Sequence, residues 1–478
     1  MAALPHCTAF ACHEGGRGLI RLDQRICFRL KGKQLAVTAG AFRWQAWGQM
    51  IKTGVRCALN AGAVAAALAF AGAASAETLE SALAQAYRNN PTLNAQRAAL
   101  RATDESVPQA LAGYRPRVTG SIDSGYQHYE SSTLSSGVLV RTNTNISPRG
   151  GNVGLVQPVF NGFRTGNLTR QAEASVLAGR ETLRNAAQTA LLDGATAYMN
   201  VLRDTAILDL QRRNVQVLQE QLKQARDRFS VGEVTRTDVA QSESRLAAAQ
   251  SQVLAAEANQ KASQATYRRV IGVEPLNLRA GMPVDRLSPR TLDGAINQGR
   301  ADHPTVTAAQ YTVDAAQHAV KAAEGSLYPT VTLEGSVQKR WDLAPGSFDQ
   351  LTGTVLGRVQ VPVYQGGSEY SIIRQAKETL GQRRIELDVQ RDLVRAQVVQ
   401  SWSQLEATKA QILAAQAQVT ATEVALNGVR EEARVGQRTT LDVLNAQQEL
   451  VNARVSLVTA QRDRVVASYT LLSAVGRL

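Results

Sequence analysis

The sequence predicts a mainly α chain with a small β part. It is built as two similar halves, each a β-hairpin continuing into a long helical hairpin. Three observations carry this expectation. Short motifs recur at fixed offsets, apolar residues recur every seven positions through long proline-free stretches, and two intervening stretches alternate apolar with polar side chains.

The repeat comes first, because it sets the architecture. Thr78-Leu79-Glu80 returns as Thr291-Leu292-Asp293, Asn90-Pro91-Thr92 as His303-Pro304-Thr305, and Tyr114-Arg115-Pro116 as Leu327-Tyr328-Pro329, each 213 residues on. From Pro158 the offset is 204: Gln157-Pro158-Val159-Phe160-Asn161-Gly162 matches Val361-Pro362-Val363-Tyr364-Gln365-Gly366. The change falls between Pro116 and Pro158, which marks a variable loop there. The halves span 77–290 and 291–478.

Taken in order, the chain opens with an expected upstream extension, 1–49, and an export signal, 50–76. The signal has a basic start (Lys52, Arg56), an Ala-rich apolar run from Ala58, and an Ala74-Ser75-Ala76 end. Cleavage is expected before Glu77. The first half then starts with helices over 79–113, broken at Pro91, and the second with helices over 292–326, broken at Pro304. Period two follows. Val118, Gly120 and Ile122 alternate with polar residues, as do Val331, Leu333, Gly335 and Val337, and Val355, Val359, Val361 and Val363 share one face. These residues predict β-hairpins over 117–160 and 330–364, with polar connecting loops at about 130–149 and 340–350.

Period seven takes over next. Val201, Leu208, Val215, Leu222 and Phe229 match Leu405, Ile412, Val419, Leu426 and Ala433, the signature of a coiled-coil seam. Return helices carry Val239, Leu246 and Val253, and Val443, Leu450 and Leu457. Coiled-coil hairpins are expected over 163–272 and 367–476. Each outgoing arm would be ~100 Å long at ~1.5 Å per residue.

Composition narrows the function. Of 53 basic and 40 acidic residues, nine basic and two acidic fall in 1–76, so the net charge of +13 becomes +6 on the remainder. Nothing then calls for nucleic acid. All four cysteines also precede Glu77, so the exported chain carries no disulfide, thiolate metal site or cysteine nucleophile. His128, His303 and His318 have no ligand spacing, and no nucleotide-binding or hydrolase motif is present. His303, just before a helix-start proline, reads as a cap. No catalytic residue, metal or cofactor is expected. Four strands of about ten residues match the length that crosses a bilayer, but the smallest membrane barrels need eight. Open edges cannot face lipid, so strands must be pooled; a trimer supplies twelve.

With its paired corners (Tyr-Arg-Pro and Leu-Tyr-Pro, Gln-Pro-Val-Phe-Asn-Gly and Val-Pro-Val-Tyr-Gln-Gly) and its paired Val-Gly-x-x-Thr-x-x-Asp-Val turns, the chain resembles the TolC-type outer-membrane efflux and secretion channels over 78–476. The resemblance implies a homotrimer with a twelve-stranded outer-membrane barrel and a twelve-helix periplasmic tunnel. It also implies partners: a periplasmic adaptor and an inner-membrane transporter, of the ABC or proton-driven kind. The function it implies is a passive exit duct for drug efflux or type I secretion, not an enzyme. The alternative is a periplasmic coiled-coil scaffold or adaptor without a pore.

The turns are Val231-Gly232-Glu233-Val234-Thr235-Arg236-Thr237-Asp238 and Val435-Gly436-Gln437-Arg438-Thr439-Thr440-Leu441-Asp442. Gly at the end of one helix, then Thr three residues before Asp at the start of the next, predicts a capped turn. By resemblance, Asp442 of three chains forms a ring at the aperture, with Asn445 where some relatives have a second acid. Arg438 would lock the tip shut against Thr237 and Asp238 of a neighbouring turn. Val231, Gly232, Thr235, Val435, Gly436 and Thr439 would receive the adaptor.

Overall fold

The structure is a computed structural model that describes residues 77–343, 346 and 348–478. The expected extension and export signal lie outside the described residues. The first half opens with α1 (Leu79–Asn89), α2 (Pro91–Asp104) and α3 (Ser106–Leu111). Asn90 ends α1 and caps α2, its Oδ1 accepting from Thr92 N at 2.9 Å and Leu93 N at 3.2 Å. Pro91 sits at the first helical position, where no N–H is needed. Strands β1 (Arg117–Ser124), β2 (Gln127–Ser135), β3 (Val138–Ile146) and β4 (Arg149–Asn161) follow. Then come the 67-residue α4 (Arg164–Ser230) and the 36-residue α5 (Arg236–Ile271).

The second half repeats the plan with α6 (Leu292–Asp302), α7 (Pro304–Glu324), β5 (Thr330–Trp341), β6 (Asp349–Gln360), α8 (Ser368–Arg434, 67 residues) and α9 (Thr440–Val475, 36 residues). His303 caps α7 as expected: its Nδ1 accepts from Thr305 N at 3.2 Å. Burial, and the nearby Arg184 charge, hold the imidazole below its usual range, which keeps that acceptor unprotonated.

Each long helix outruns its return arm, and the shorter helices cover the rest. α4 packs on α5 toward the turn and on α1, α2, α3 and α7 toward the sheet; α8 packs on α9 toward the turn and on α6 and α7 toward the sheet. Two apolar clusters hold this arrangement. One joins α1, α4, α5 and α9 through Ala82, Ala86, Tyr198, Tyr267 and Tyr469. The other joins α6, α7, α8 and α9 through Val306, Val398, Leu405 and Leu471. Ala at the contacts lets helices approach closely. Trp402 lies against the second cluster.

The sheet is antiparallel with order β1-β4-β5-β6. Two sequence expectations fail around it. The segment 130–149 is not a polar loop: most of it belongs to β2 and β3, which form a separate two-stranded ribbon with Ser135 opposite Val138. Its alternation was obscured because Ser, Thr and Asn fill both faces. Val361 and Val363, expected within the last strand, lie beyond its end at Gln360. Pro362 lacks the N–H a ladder needs. The matching Pro158 stays in β4 only at a break in register between Pro158 and Phe160.

Candidate functional site

Cross-strand register sorts the sheet into two chemically opposite faces. Val118 stands opposite Leu155, Val153 opposite Val337, and Val331 opposite Val359, with Gly120, Gly335 and Gly353 as the small partners between them. Val118, Ile122, Val153, Val337, Val355 and Val359 are all exposed in the single chain, Ile122 at 92%. The alternate residues are mainly polar, with Val156 and Leu356 on either side of Glu334 as aliphatic members. Asp123 accepts from Arg340 Nη1 at 2.6 Å, and Arg358 grips Glu334 with two bonds of 2.9 and 3.1 Å. An open apolar face backed by a face of ion pairs suits a wall between hydrocarbon and water.

Aromatic residues bound the apolar face at both ends. At the distal end is Trp341, with Lys339 Nζ 5.7 Å from its ring. At the helical end Phe160, opposite Val331, stacks edge-on with Phe163 at 5.2 Å, and Phe163 with Tyr328 at 6.3 Å. The ten steps from Val331 to Trp341 span about 34 Å of strand. At the tilt usual for such walls that is a band of about 25 Å, the height of an outer-membrane apolar belt. Phe163 holds φ 62, a left-handed conformation that costs a side-chain-bearing residue about 1 kcal/mol or more; the matching residue in the second half is Gly367. Gly162 before it, φ +64, is wedged so tightly that a Cβ would sit 2.2 Å from the Gly325 carbonyl oxygen.

At the opposite end of the molecule are the two turns. Gly232 and Gly436 take φ of +81 and +80, which ends α4 and α8. Thr235 caps α5, accepting from Asp238 N at 3.3 Å, while Asp238 Oδ2 accepts from Thr235 N at 3.0 Å. Thr439 and Asp442 do the same for α9 at 3.2 and 3.0 Å. Hydrogen bonds from the Thr439 backbone and then its hydroxyl hold the Asp442 carboxyl below the usual carboxylate range. Val231 and Val435 are exposed at the apices, each 71%.

Within the chain Arg438 does not reach Thr237 or Asp238. Its Nε donates to Glu432 Oε2 at 2.8 Å, at the end of α8 in its own hairpin, and Asp238 is occupied by Thr235. Asn445 accepts from Arg245 Nη2 at 2.8 Å, a bond between α9 and α5. Beside it Arg430 donates to Gln447, and Gln447 to Asn214 on α4. Leu444, 2% exposed, fills the space between Leu218 and Ala249 with Val215 and Leu246 around it. Thus α9 is tied to the first hairpin by Leu444, Asn445 and Gln447. Sequence reading had followed Val443 as the seam residue and missed Leu444, Gln447, Arg245 and Asn214. A contact between two hairpins has no period of its own along either one.

The fold and its two-faced sheet define a class: chains that join a membrane wall to long periplasm-scale coiled coils. The chain belongs to the family described as outer membrane efflux protein, which matches residues 82–273 and 295–477. It is 42% identical over 409 residues to the outer membrane efflux protein BepC of Brucella suis, covering 85% of this chain and 87% of that protein. It is 24% identical to the outer membrane protein TolC of Escherichia coli over 86% of this chain and 84% of that one. Among solved structures, the CmeC outer membrane channel of Campylobacter jejuni superposes with a TM-score of 0.73 at 14% identity, over 84% of this chain and 86% of that chain. That likeness is one of fold.

Proposed function

We propose that the chain is a subunit of a homotrimeric outer-membrane channel and tunnel, the passive exit duct of a drug-efflux or type I secretion system. The observation that carries this is the sheet. Among the described residues its outer edges, β1 and β6, have no partner and its apolar face has no cover, yet the face has the height of a membrane belt. Three copies joined edge to edge make twelve strands. The ion-paired face then lines water, and α4, α5, α8 and α9 continue as the tunnel wall. A coiled-coil scaffold without a pore gives no reason for this sheet. The chain is no enzyme in this reading, and energy comes from an inner-membrane transporter reached through a periplasmic adaptor.

The turns are the mobile end. Val231, Gly232, Thr235, Val435, Gly436 and Thr439 offer the adaptor its contacts. Asp442 of three chains forms the aperture ring, with the neutral Asn445 one turn on. Closure uses Arg438, which leaves Glu432 to bond Thr237 and Asp238 of a neighbouring turn. Membrane fractionation tests the reading: the chain should sediment with the outer membrane and resist salt extraction. Recovery as a soluble periplasmic monomer would rule it out.

A further inference from the structure

We propose that the corner where the first-half strands become helices binds a phospholipid through its phosphate, an inference that rests on the membrane placement above. A cavity of about 530 Å³ opens there, lined by Tyr114, Phe163 and Tyr328 and by the cations Arg170 and Lys321. Its single acid, Glu324, is paired with Lys377 at 3.5 Å. Among the described residues neither Arg170 nor Lys321 has an ion-pair partner, so the pocket presents net positive charge.

Register places this pocket on the lipid side. Phe160 lies opposite Val331 and so belongs to the apolar face, and the edge-on chain Phe160–Phe163–Tyr328 leads from that face straight into the cavity. Down the wall the order is therefore aliphatic band, aromatic collar, cations. A leaflet in contact with it has the same order: acyl chains, glycerol region, phosphate. Arg170 is six residues into α4, about 9 Å past its start, a depth suited to a headgroup.

The two halves differ at this point. The first half keeps Phe at a left-handed position for which the second uses Gly367. A ring held there against its backbone preference is accounted for if it closes the pocket over a ligand. Lys321, contributed by α7, has Pro108 at the matching place in the first half, so the site forms once per chain.

The test is native mass spectrometry of the purified channel titrated with phosphatidylglycerol in detergent, using wild type, the double variant Arg170→Gln/Lys321→Gln, and Phe163→Gly. Wild type should retain one more phospholipid per chain than the double variant, whose affinity for that lipid falls at least tenfold. Phe163→Gly, which relieves the backbone, should fold and yet retain several-fold less lipid. Inorganic phosphate at equal concentration should not displace the lipid. Equal retention by all three proteins would overturn the proposal, and so would full displacement by inorganic phosphate, which would mark a free-anion site. Failure of wild type to enter lipid vesicles would instead count against the channel reading itself.

Discussion

Leu444→Ala tests how the two coiled-coil hairpins of one chain are held together. Leu444 is 2% exposed between Leu218 and Ala249, so it touches α4 and α5 from α9. Truncation removes three carbons, each worth ~0.8 kcal/mol of transfer free energy. A rigid cavity would add to this, and buried Leu→Ala changes span about 2–5 kcal/mol. Here a groove of about 350 Å³, lined by Ala225, Val443 and Leu444 itself, opens beside the site, so water can enter and the cavity contribution is small. The expected loss is about 2–3 kcal/mol, which shifts the balance between packed and separated hairpins by roughly 30- to 150-fold. Single-channel recording in planar bilayers reads this directly, since separated hairpins widen the tip. The variant should show frequent high-conductance openings while its sheet, more than half the molecule away, keeps the channel in the membrane. Conductance and opening frequency equal to wild type would refute the claim that this seam holds the tip.

Four further outcomes are expected. Arg438→Ala should raise closed-state conductance if Arg438 bonds a neighbouring turn; unchanged conductance would remove it from the lock. Thr439→Ala should cost α9 about 1 kcal/mol of cap stability, read as faster amide exchange at Asp442 and Val443, and the same holds for Thr235→Ala at α5. Because hydrogen bonds lower the Asp442 pKa in the fold, its capping contribution is fully present above the unfolded carboxylate range and is lost as pH falls through the lowered value. An acid step in the tip's protease resistance should therefore vanish in Asp442→Asn. Gly162→Ala should prevent correct docking of the strand-to-helix corner, because its Cβ has no room beside Gly325 and Tyr328, and little assembled channel should reach the membrane.

Much of this architecture was legible in the sequence because the chain states it twice. The 67-residue helices begin one residue after the expected starts at 163 and 367 and end one residue past the last heptad positions, Phe229 and Ala433, and the prolines at 91 and 304 mark helix starts in both halves. The capping pairs Thr235–Asp238 and Thr439–Asp442 follow from spacing alone. What the sequence concealed was non-periodic. The β2–β3 ribbon carries polar residues on both faces, so alternation had nothing to alternate between. Leu444 lies one position from the seam residue Val443, and only the packing of a second hairpin decides which of the two is buried. Arg438 shows the limit of motif reasoning: its bond to Glu432 was not foreseen, because Glu432 lies outside the turn that the repeat had highlighted.

The central claim is that the free edges of the sheet, β1 and β6, pair between chains to close a barrel of three. The stretch from Glu77 to Leu478 contains no native cysteine, so introduced ones report cleanly. Single cysteines placed along β1, combined in turn with single cysteines along β6, should give, on oxidation in membranes, a covalent species of three chains for the pairs in register. No such species is expected when either cysteine is moved to β4 or β5. Cross-linking that stops at one or two chains for every β1–β6 combination would contradict the account.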